Sequence, residues 1–536
     1  MTVGIYRTHL KQKQMNRYLY ILFISLLAAA EADAQNVAVQ GTKHDAPSKL
    51  VVNIVVDQLR SDYLNHNMSR YGANGFRKLL TQGMVFENAG VPFLPVDIAS
   101  ATAAISTATT PRYSGIPSEE WMSRKTARKT SCTADQVSLL TPRANDPTPV
   151  NLLVSTLGDE MKIASQHGSK VFSVALTADA AVMLAGHCAD GAFWIDPQSA
   201  QWTASNFYQK RLTDWPADFN RQQTAQRKKL LSAQPAKTVS KKTSGQRNDA
   251  KKDSSRQVKQ TVYAKSPSVN KYITDFALKC VEAENLGGDN VPDLLNVMYY
   301  AGDCHASTFT NQAQIAETYK EIDNAIASLV SGIEQRVGKS NVLFVVTSTG
   351  YYEEPVVDYS QYNIPSGTVY INRTANLLNM YLSAIYGQAH YVEAYKDNQI
   401  YLDHKLIERK RLHLKEVLER SKEMLVMSDG VSDAYTSFGL HSSPDAEMLK
   451  IKNGFNIDVC GDLVLSVSPG WNIYNEETHE QQKAKSYGFQ FPIILYGADV
   501  KHAVVTSPVT VEQISPTVSK HLRIRAPNAA RKQSLY

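Results

Sequence analysis

The chain has 536 residues, 43% of them hydrophobic, and a formal net charge of +6. That length and apolar content suffice for a large buried core and exclude a disordered or fibrous chain. Five cysteines scattered over Cys132, Cys188, Cys280, Cys304 and Cys460, without CxxC spacing, argue against a disulfide framework or a thiolate metal site.

Arg7, Lys11, Lys13 and Arg17 form a basic stretch, Leu19 to Ala30 an apolar run too short to span a bilayer, and Ala32-Asp33-Ala34 a small-residue cleavage site. That order predicts a secretory signal over 1–34, with Gln35 as the mature N-terminus, followed by a polar linker over 35–47. No later apolar run reaches membrane-spanning length, so the exported product is expected to carry no transmembrane segment.

From residue 48 onward short apolar runs alternate with helical patterns, which predicts an α/β fold with a mostly parallel, doubly wound sheet and helices on both faces. The strands are expected at Leu50 to Val56, Val171 to Leu176, Leu294 to Tyr300, Val342 to Thr347 and Pro492 to Tyr496. Each run is continuous in apolar residues, as a strand covered on both faces should be. Helices are expected at Ser69 to Gln82 and at Gln312 to Arg336, the latter with apolar spacing at Ile315, Tyr319, Ile322, Ile326 and Leu329.

Between them, residues 221–265 are rich in Lys, Ser, Gln and Thr. From Arg221 to Gln260 there are twelve Lys or Arg against Asp249 and Asp253, so the rest of the chain is slightly acidic. Such a segment cannot offset its ordering entropy and is expected to be a mobile insertion. It reads as a solvated loop before it reads as a polyanion-binding arm, because aromatic residues for base stacking are missing.

In open α/β sheets ligands bind beyond the carboxyl ends of the strands. The residues there are Asp57, Asp179, Asp303, Ser348 with Thr349, and Tyr496 with Gly497, together with His305 two places past Asp303. This is a carboxylate cluster nearly devoid of histidine. Asp57 and Asp303 read equally as ligands of a hard divalent cation such as Ca2+ or Mg2+ and as hydrogen-bond partners of nearby backbone. His305 reads as a loop histidine before a ligand, and His187 as structural. Tyr351, Tyr352, Tyr359 and Tyr362 could line a cleft. Gly338-Lys339 and the other glycines form neither GxxxxGK[ST] nor GxGxxG.

The stretches LVVNIVVDQLRSDY (50–63), VPFLP (91–95) through Gly115-Ile116, AGHCADGAFWID (185–196), VGKSN (337–341), Gly461-Asp462 with PGW (469–471) and ISPTV (514–518) carry a resemblance. Together they resemble the PafA-type, phosphate-irrepressible alkaline phosphatases of the alkaline phosphatase and type I phosphodiesterase/nucleotide pyrophosphatase superfamily. The match covers about 48–528 apart from the basic insertion, leaving 529–536 as a tail. The resemblance implies an alkaline phosphatase-like domain with smaller cap insertions, phosphoric ester hydrolysis and a periplasmic location, with the extracellular space as the alternative. It also implies two zinc ions held by three Asp and three His, with a Thr nucleophile between them at a helix N-terminus.

Carried over residue by residue, the implied site is depleted. Asp57 and Asp303 match metal ligands, whereas Ser307, Ser348, Thr349 and Gln490 stand where the other ligands belong. Ile98 stands at the nucleophile. Glu119, Thr177 and Asp179 stand where an Asn and a Lys-x-Arg pair would hold the substrate oxygens. The expectation is a pseudo-phosphatase that acts by binding an unidentified protein or ligand, or as a scaffold. It needs no cofactor and has at most a residual hard cation at Asp57 and Asp303. One alternative is an active phosphomonoesterase or phosphodiesterase with rearranged metal ligands, Asp57, Asp97, Asp303 and His305. Zinc would return in that case, and Ser100, Thr102 or Thr107 would be a displaced nucleophile. A further alternative is a polyanion-binding module working through 221–265.

Overall fold

Leu50–Asp57 forms a strand in which all eight residues are buried. It pairs in parallel with Asp293–Tyr300 on one side and with Val342–Ser348 on the other. The computed structural model describes residues 47–135, 146–208, 214–225, 268–301, 312–353, 362–442, 446–482, 485–498 and 500–536. Among them the central sheet has ten strands. Its path runs Ala503–Val505, Met84–Gly90, Phe491–Gly497, Val342–Ser348, Leu50–Asp57, Asp293–Tyr300, Val171–Val174, Gly191–Ile195 and Trp202–Ala204, with Val509–Thr510 beside Met84–Gly90. The inner pairings are parallel, while Phe491–Gly497 and Trp202–Ala204 run antiparallel to their neighbours, so the sheet is the mostly parallel one expected.

All five expected strands are present. The second ends at Val174 instead of Leu176, although the Ile195 amide still bonds the Leu176 carbonyl. The helix Gln312–Val337 buries Ile315, Tyr319, Ile322, Ile326 and Leu329 against the sheet, as the spacing predicts. Burying side chains of this size stabilises the fold by about 1.5–3 kcal/mol each.

The expected helix over Ser69 to Gln82 needs correction. A short 3-10 turn covers Met68–Arg70, the chain then breaks, and an α-helix resumes at Phe76–Gln82. The cause lies far away in sequence. Buried Asp323 accepts the amides of Gly72 at 2.9 Å and Phe76 at 2.7 Å, and thereby caps the second helix from the long helix beside it. A side chain at Gly75 would place its Cβ 2.1 Å from the Asp323 carboxylate, so only glycine allows this approach.

A second layer has its own core. The strands Val392–Lys396, Gln399–Leu402, Leu463–Val467 and Val431–Thr436 form an antiparallel sheet in that order. Ile371–Tyr386 and Leu414–Val426 pack on it through Leu378, Leu382, Val417, Leu418 and Leu425. Arg124 joins this layer to the hairpin of Glu120–Ser123 and Arg128–Ser131. Its guanidinium reaches both oxygens of buried Asp462 at 3.1 Å, and His404 shares that carboxylate.

Residues 529–535, expected as a tail, pack onto the domain. The Leu535 amide bonds the Thr517 hydroxyl, and the Arg531 guanidinium lies 4.0 Å above the Tyr113 ring. The expected signal, most of the linker, and 226–265 of the basic insertion lie outside the described residues, as do Cys304 and Tyr359; Arg221 and Gln222 close the helix Trp215–Gln222. No helix among the described residues is long and apolar enough to cross a membrane.

Candidate functional site

The parallel register fixes which side chains meet at the carboxyl edge. Asp57 stands opposite Tyr300, and Val56 opposite Ser348, so the residues following three adjacent strands converge. Asp57 is fully buried. Its Oδ1 accepts the Thr349 hydroxyl at 2.8 Å, and Oδ2 faces the Gln58 amide nitrogen at 3.4 Å. Gln58 has φ of 61°, a left-handed turn that brings its own amide to the Thr349 oxygen at 3.0 Å. Thr349 therefore accepts one bond and donates another, occupied by protein on both sides. Burial pushes the Asp57 carboxyl up to about 6, against the lowering effect of the Thr349 and Gln58 bonds.

The next strand-to-helix junction places Ile98 as the first residue of the helix Ile98–Thr107. Its N-cap is Asp97, whose carboxylate is committed to backbone. Oδ1 accepts the Ser100 amide at 2.9 Å and hydroxyl at 2.8 Å, and Oδ2 accepts the Glu119 amide at 2.7 Å. Ser100 completes the capping box by accepting the Asp97 amide. The other hydroxyls are also engaged: Thr102 donates to the Ile98 carbonyl and Thr107 to the Ala103 carbonyl, each at 2.6 Å, and both side chains are buried. Geometry thus gives Asp97 and Ser100 the capping of this helix and turns the Thr102 and Thr107 hydroxyls back onto the helix's own carbonyls.

Thr177 and Asp179 serve the start of another helix, Ala178–Ala185. Thr177 is its N-cap, and Asp179 lies in its first turn, where an anion is favoured. The Asp179 carboxylate accepts hydroxyl bonds from Thr133 at 3.0 Å and Ser131 at 3.4 Å. Glu119 is half-buried, and its carboxyl is pushed up to about 8, first by desolvation and then by the fields of Asp97, Asp179 and Asp57. Asp57, Asp97, Glu119 and Asp179 therefore form one electrostatic cluster. Its members relieve mutual repulsion by hydrogen bonding and, at Glu119, by holding a proton at neutral pH.

Two members of the site escaped sequence reasoning. Tyr352–Glu353 and Lys485–Ser486 form a two-stranded antiparallel ribbon that sets Lys485 directly across from Glu353. The Glu353 amide is anchored to the Gln58 side chain at 2.9 Å. Lys485 donates to the Val96 carbonyl at 3.2 Å, lies 4.7 Å from the centre of the Tyr351 ring, and acts favourably on the Asp57 and Glu119 carboxylates. Its only sequence signal is a lysine six places before the last long buried strand, two places after Lys483.

Of the four tyrosines expected in a cleft, Tyr351 is buried within the fields of Asp57, Glu119 and Asp97, Tyr352 lies under the Arg60 guanidinium, and Tyr362 is 67% exposed. Gln490 is exposed, and its carbonyl accepts the Ser61 amide. His187 bridges the Asp159 carboxylate and the Leu152 carbonyl at 3.0 and 2.9 Å, away from this site. Asp303, His305 and Ser307 lie outside the described residues; Ala301, the last described residue before them, donates its amide to the Asp57 carbonyl.

The described donors do not by themselves fit a pair of zinc ions, and Asp303, His305 and Ser307 lie outside the described residues. Among the described residues no group of three or more His, Cys, Asp or Glu is arranged to hold a metal ion. Zinc at a catalytic centre takes imidazole, thiolate or carboxylate donors. Here the Asp57 and Asp97 oxygens already accept protein hydrogen bonds, and an ammonium group shares the cluster.

Comparison with known proteins matches residues 51–490 to the family described as type I phosphodiesterase / nucleotide pyrophosphatase. The chain is 28% identical over 510 residues to a protein named calcium-transporting ATPase from Myroides odoratus, covering 90% of this chain and 92% of that one. It is 26% identical over 536 residues to the alkaline phosphatase PhoV of Synechococcus elongatus, covering 96% of each. The crystal structure of the alkaline phosphatase PafA superposes with a TM-score of 0.77 at 23% identity, over 92% of this chain and 99% of that one, and so shares the fold.

Proposed function

Because this chain belongs to the type I phosphodiesterase / nucleotide pyrophosphatase family, we propose that it is an exported protein of phosphatase fold that does not hydrolyse phosphate esters and works through binding or as an envelope scaffold. The observation that carries this reading is the start of the helix Ile98–Thr107. An aliphatic side chain stands at the position matched to the nucleophile, and the preceding carboxylate is spent on the capping box and the Glu119 amide. An ester phosphate entering there would meet the Asp57, Asp97 and Asp179 carboxylates where cations are needed. Each unit charge near a phosphate oxygen is worth about 1–4 kcal/mol at surface-like dielectric. Electrostatic stabilisation of the transferring group, the main resource of phosphoryl-transfer catalysis, is reversed in sign.

The test is turnover of an aryl phosphate and an aryl phosphodiester by purified protein, with and without added Zn2+, Mn2+ or Ca2+, beside the metal content of protein prepared without chelators. No turnover above buffer is expected. Ile98→Thr is expected to remain inactive, because one hydroxyl restores neither the imidazole ligands nor the clamp. Turnover that disappears in Asp57→Ala, or two zinc ions per chain, would refute the reading and favour the rearranged ligand set.

A further inference from the structure

A cluster of carboxylates, with Asp57 and Asp97 buried among them, in a metal-dependent fold gains from positive charge nearby. We propose that the Lys485 ammonium is the internal counter-ion of this cluster, offsetting part of its negative charge where a divalent cation would otherwise do so. The proposal rests on the reading that no zinc pair assembles here.

Three independent features place the ammonium. The two-stranded ribbon pins Lys485 opposite Glu353, and Glu353 is held to the strand end by the Gln58 side chain. The Lys485 Nζ donates to the Val96 carbonyl, immediately before the capping residue Asp97. The charge also lies 4.7 Å from the centre of the Tyr351 ring, an arrangement that favours a cation when partly desolvated. Lys485 is the cation acting on both Asp57, at the end of the central strand, and Glu119, and it stands across the ribbon from Glu353; Asp97 and Asp179 act on Glu119 in the same cluster. A lysine is a compact point charge on a flexible stem, suited to filling a site that a metal ion would otherwise neutralise.

The experiment measures the melting temperature of the full chain at about pH 8, with and without millimolar Mg2+ or Ca2+, for the wild type, Lys485→Arg and Lys485→Met. Lys485→Met is expected to melt about 2 to 4 °C lower, since it leaves buried charge uncompensated. Divalent cation should restore at least half of that loss, while the wild type and Lys485→Arg shift by less than about 1 °C. If Lys485→Met does not accumulate as folded protein, adding Asp57→Asn, which removes the fully buried charge that Lys485 acts on, is expected to recover it, and failure to do so counts against the proposal. A Lys485→Met protein as stable as the wild type overturns it, as does an equal cation response in both. Neither outcome touches the absence of hydrolysis, which the turnover assay decides separately.

Discussion

Replacing Asp57 by asparagine should stabilise this protein at neutral pH, the opposite of what the same change does to a metal ligand. Asp57 is fully buried, and its carboxyl is pushed up to about 6 from an ordinary 3.8, chiefly by desolvation. A carboxyl whose folded pKa exceeds its unfolded value binds more protons in the native state. Stability therefore falls as pH rises through the window from about 4 to 6 and stays lower above it. A displacement of about two pH units corresponds to about 3 kcal/mol. Asparagine keeps an oxygen for the Thr349 hydroxyl but carries no charge, so it should recover most of that amount at about pH 8 and flatten the fall. Unfolding entropy of about 2 cal/mol/K per residue, over the roughly 410 described residues, makes 3 kcal/mol worth about 3.5 °C in melting temperature. Scanning calorimetry of wild type and Asp57→Asn between about pH 4 and 8, with and without EDTA, measures it. A lower melting temperature for Asp57→Asn at the upper end, matched by a drop of the wild type in EDTA, would mean that Asp57 holds a metal and that this electrostatic account is wrong.

The His187 ring faces two acceptors, the Asp159 carboxylate and the Leu152 carbonyl, so both ring nitrogens must donate; the Asp159 hydrogen bond raises its pKa. Its contribution is complete below the unfolded value of about 6.5 and lost as pH rises through the folded value. NMR titration should therefore give a His187 midpoint above that of a free histidine, and His187→Gln should remove the corresponding slope in stability. Arg124→Met strips the two-bond partner from Asp462, leaving it to His404 and the Leu402 amide, and should cost about 1–3 kcal/mol in thermal unfolding, less than a fully buried pair because Arg124 is partly exposed. Deleting 226–262 should leave the melting temperature unchanged while removing any salt-sensitive retention on heparin. Retention that survives the deletion would place a polyanion site elsewhere.

The central sheet was legible because its strands are covered on both faces, which demands unbroken apolar runs such as Leu50–Val56 and Val342–Thr347. The position of Asp57 followed from the same logic, since a polar residue closing such a run must sit at the sheet edge. What escaped depended on partners distant in sequence. The break before Phe76 is made by Asp323, about 250 positions away, and no local propensity announces it. Lys485 lies in a polar stretch with no periodicity, and only the two-residue pairing with Tyr352–Glu353 carries it to the carboxylates. The proton held by Glu119 needs three other acids brought together by different elements, so it exists only in the fold.

Under the proposed reading, those acids also explain how such a site could persist without metal. Like charges at the edge of a parallel sheet are tolerable only if each finds its own relief, and four different kinds operate here. Asp57 takes a hydroxyl from Thr349, Asp97 takes backbone amides at a helix start, Asp179 sits in a helix first turn beside two hydroxyls, and Glu119 keeps its proton. Because these solutions are local and separate, restoring one catalytic residue disturbs one of them without rebuilding a metal centre. Ile98→Thr would add a hydroxyl at a helix start whose capping box is already complete, and on the proposed reading there is no adjacent Lewis acid to make it a nucleophile.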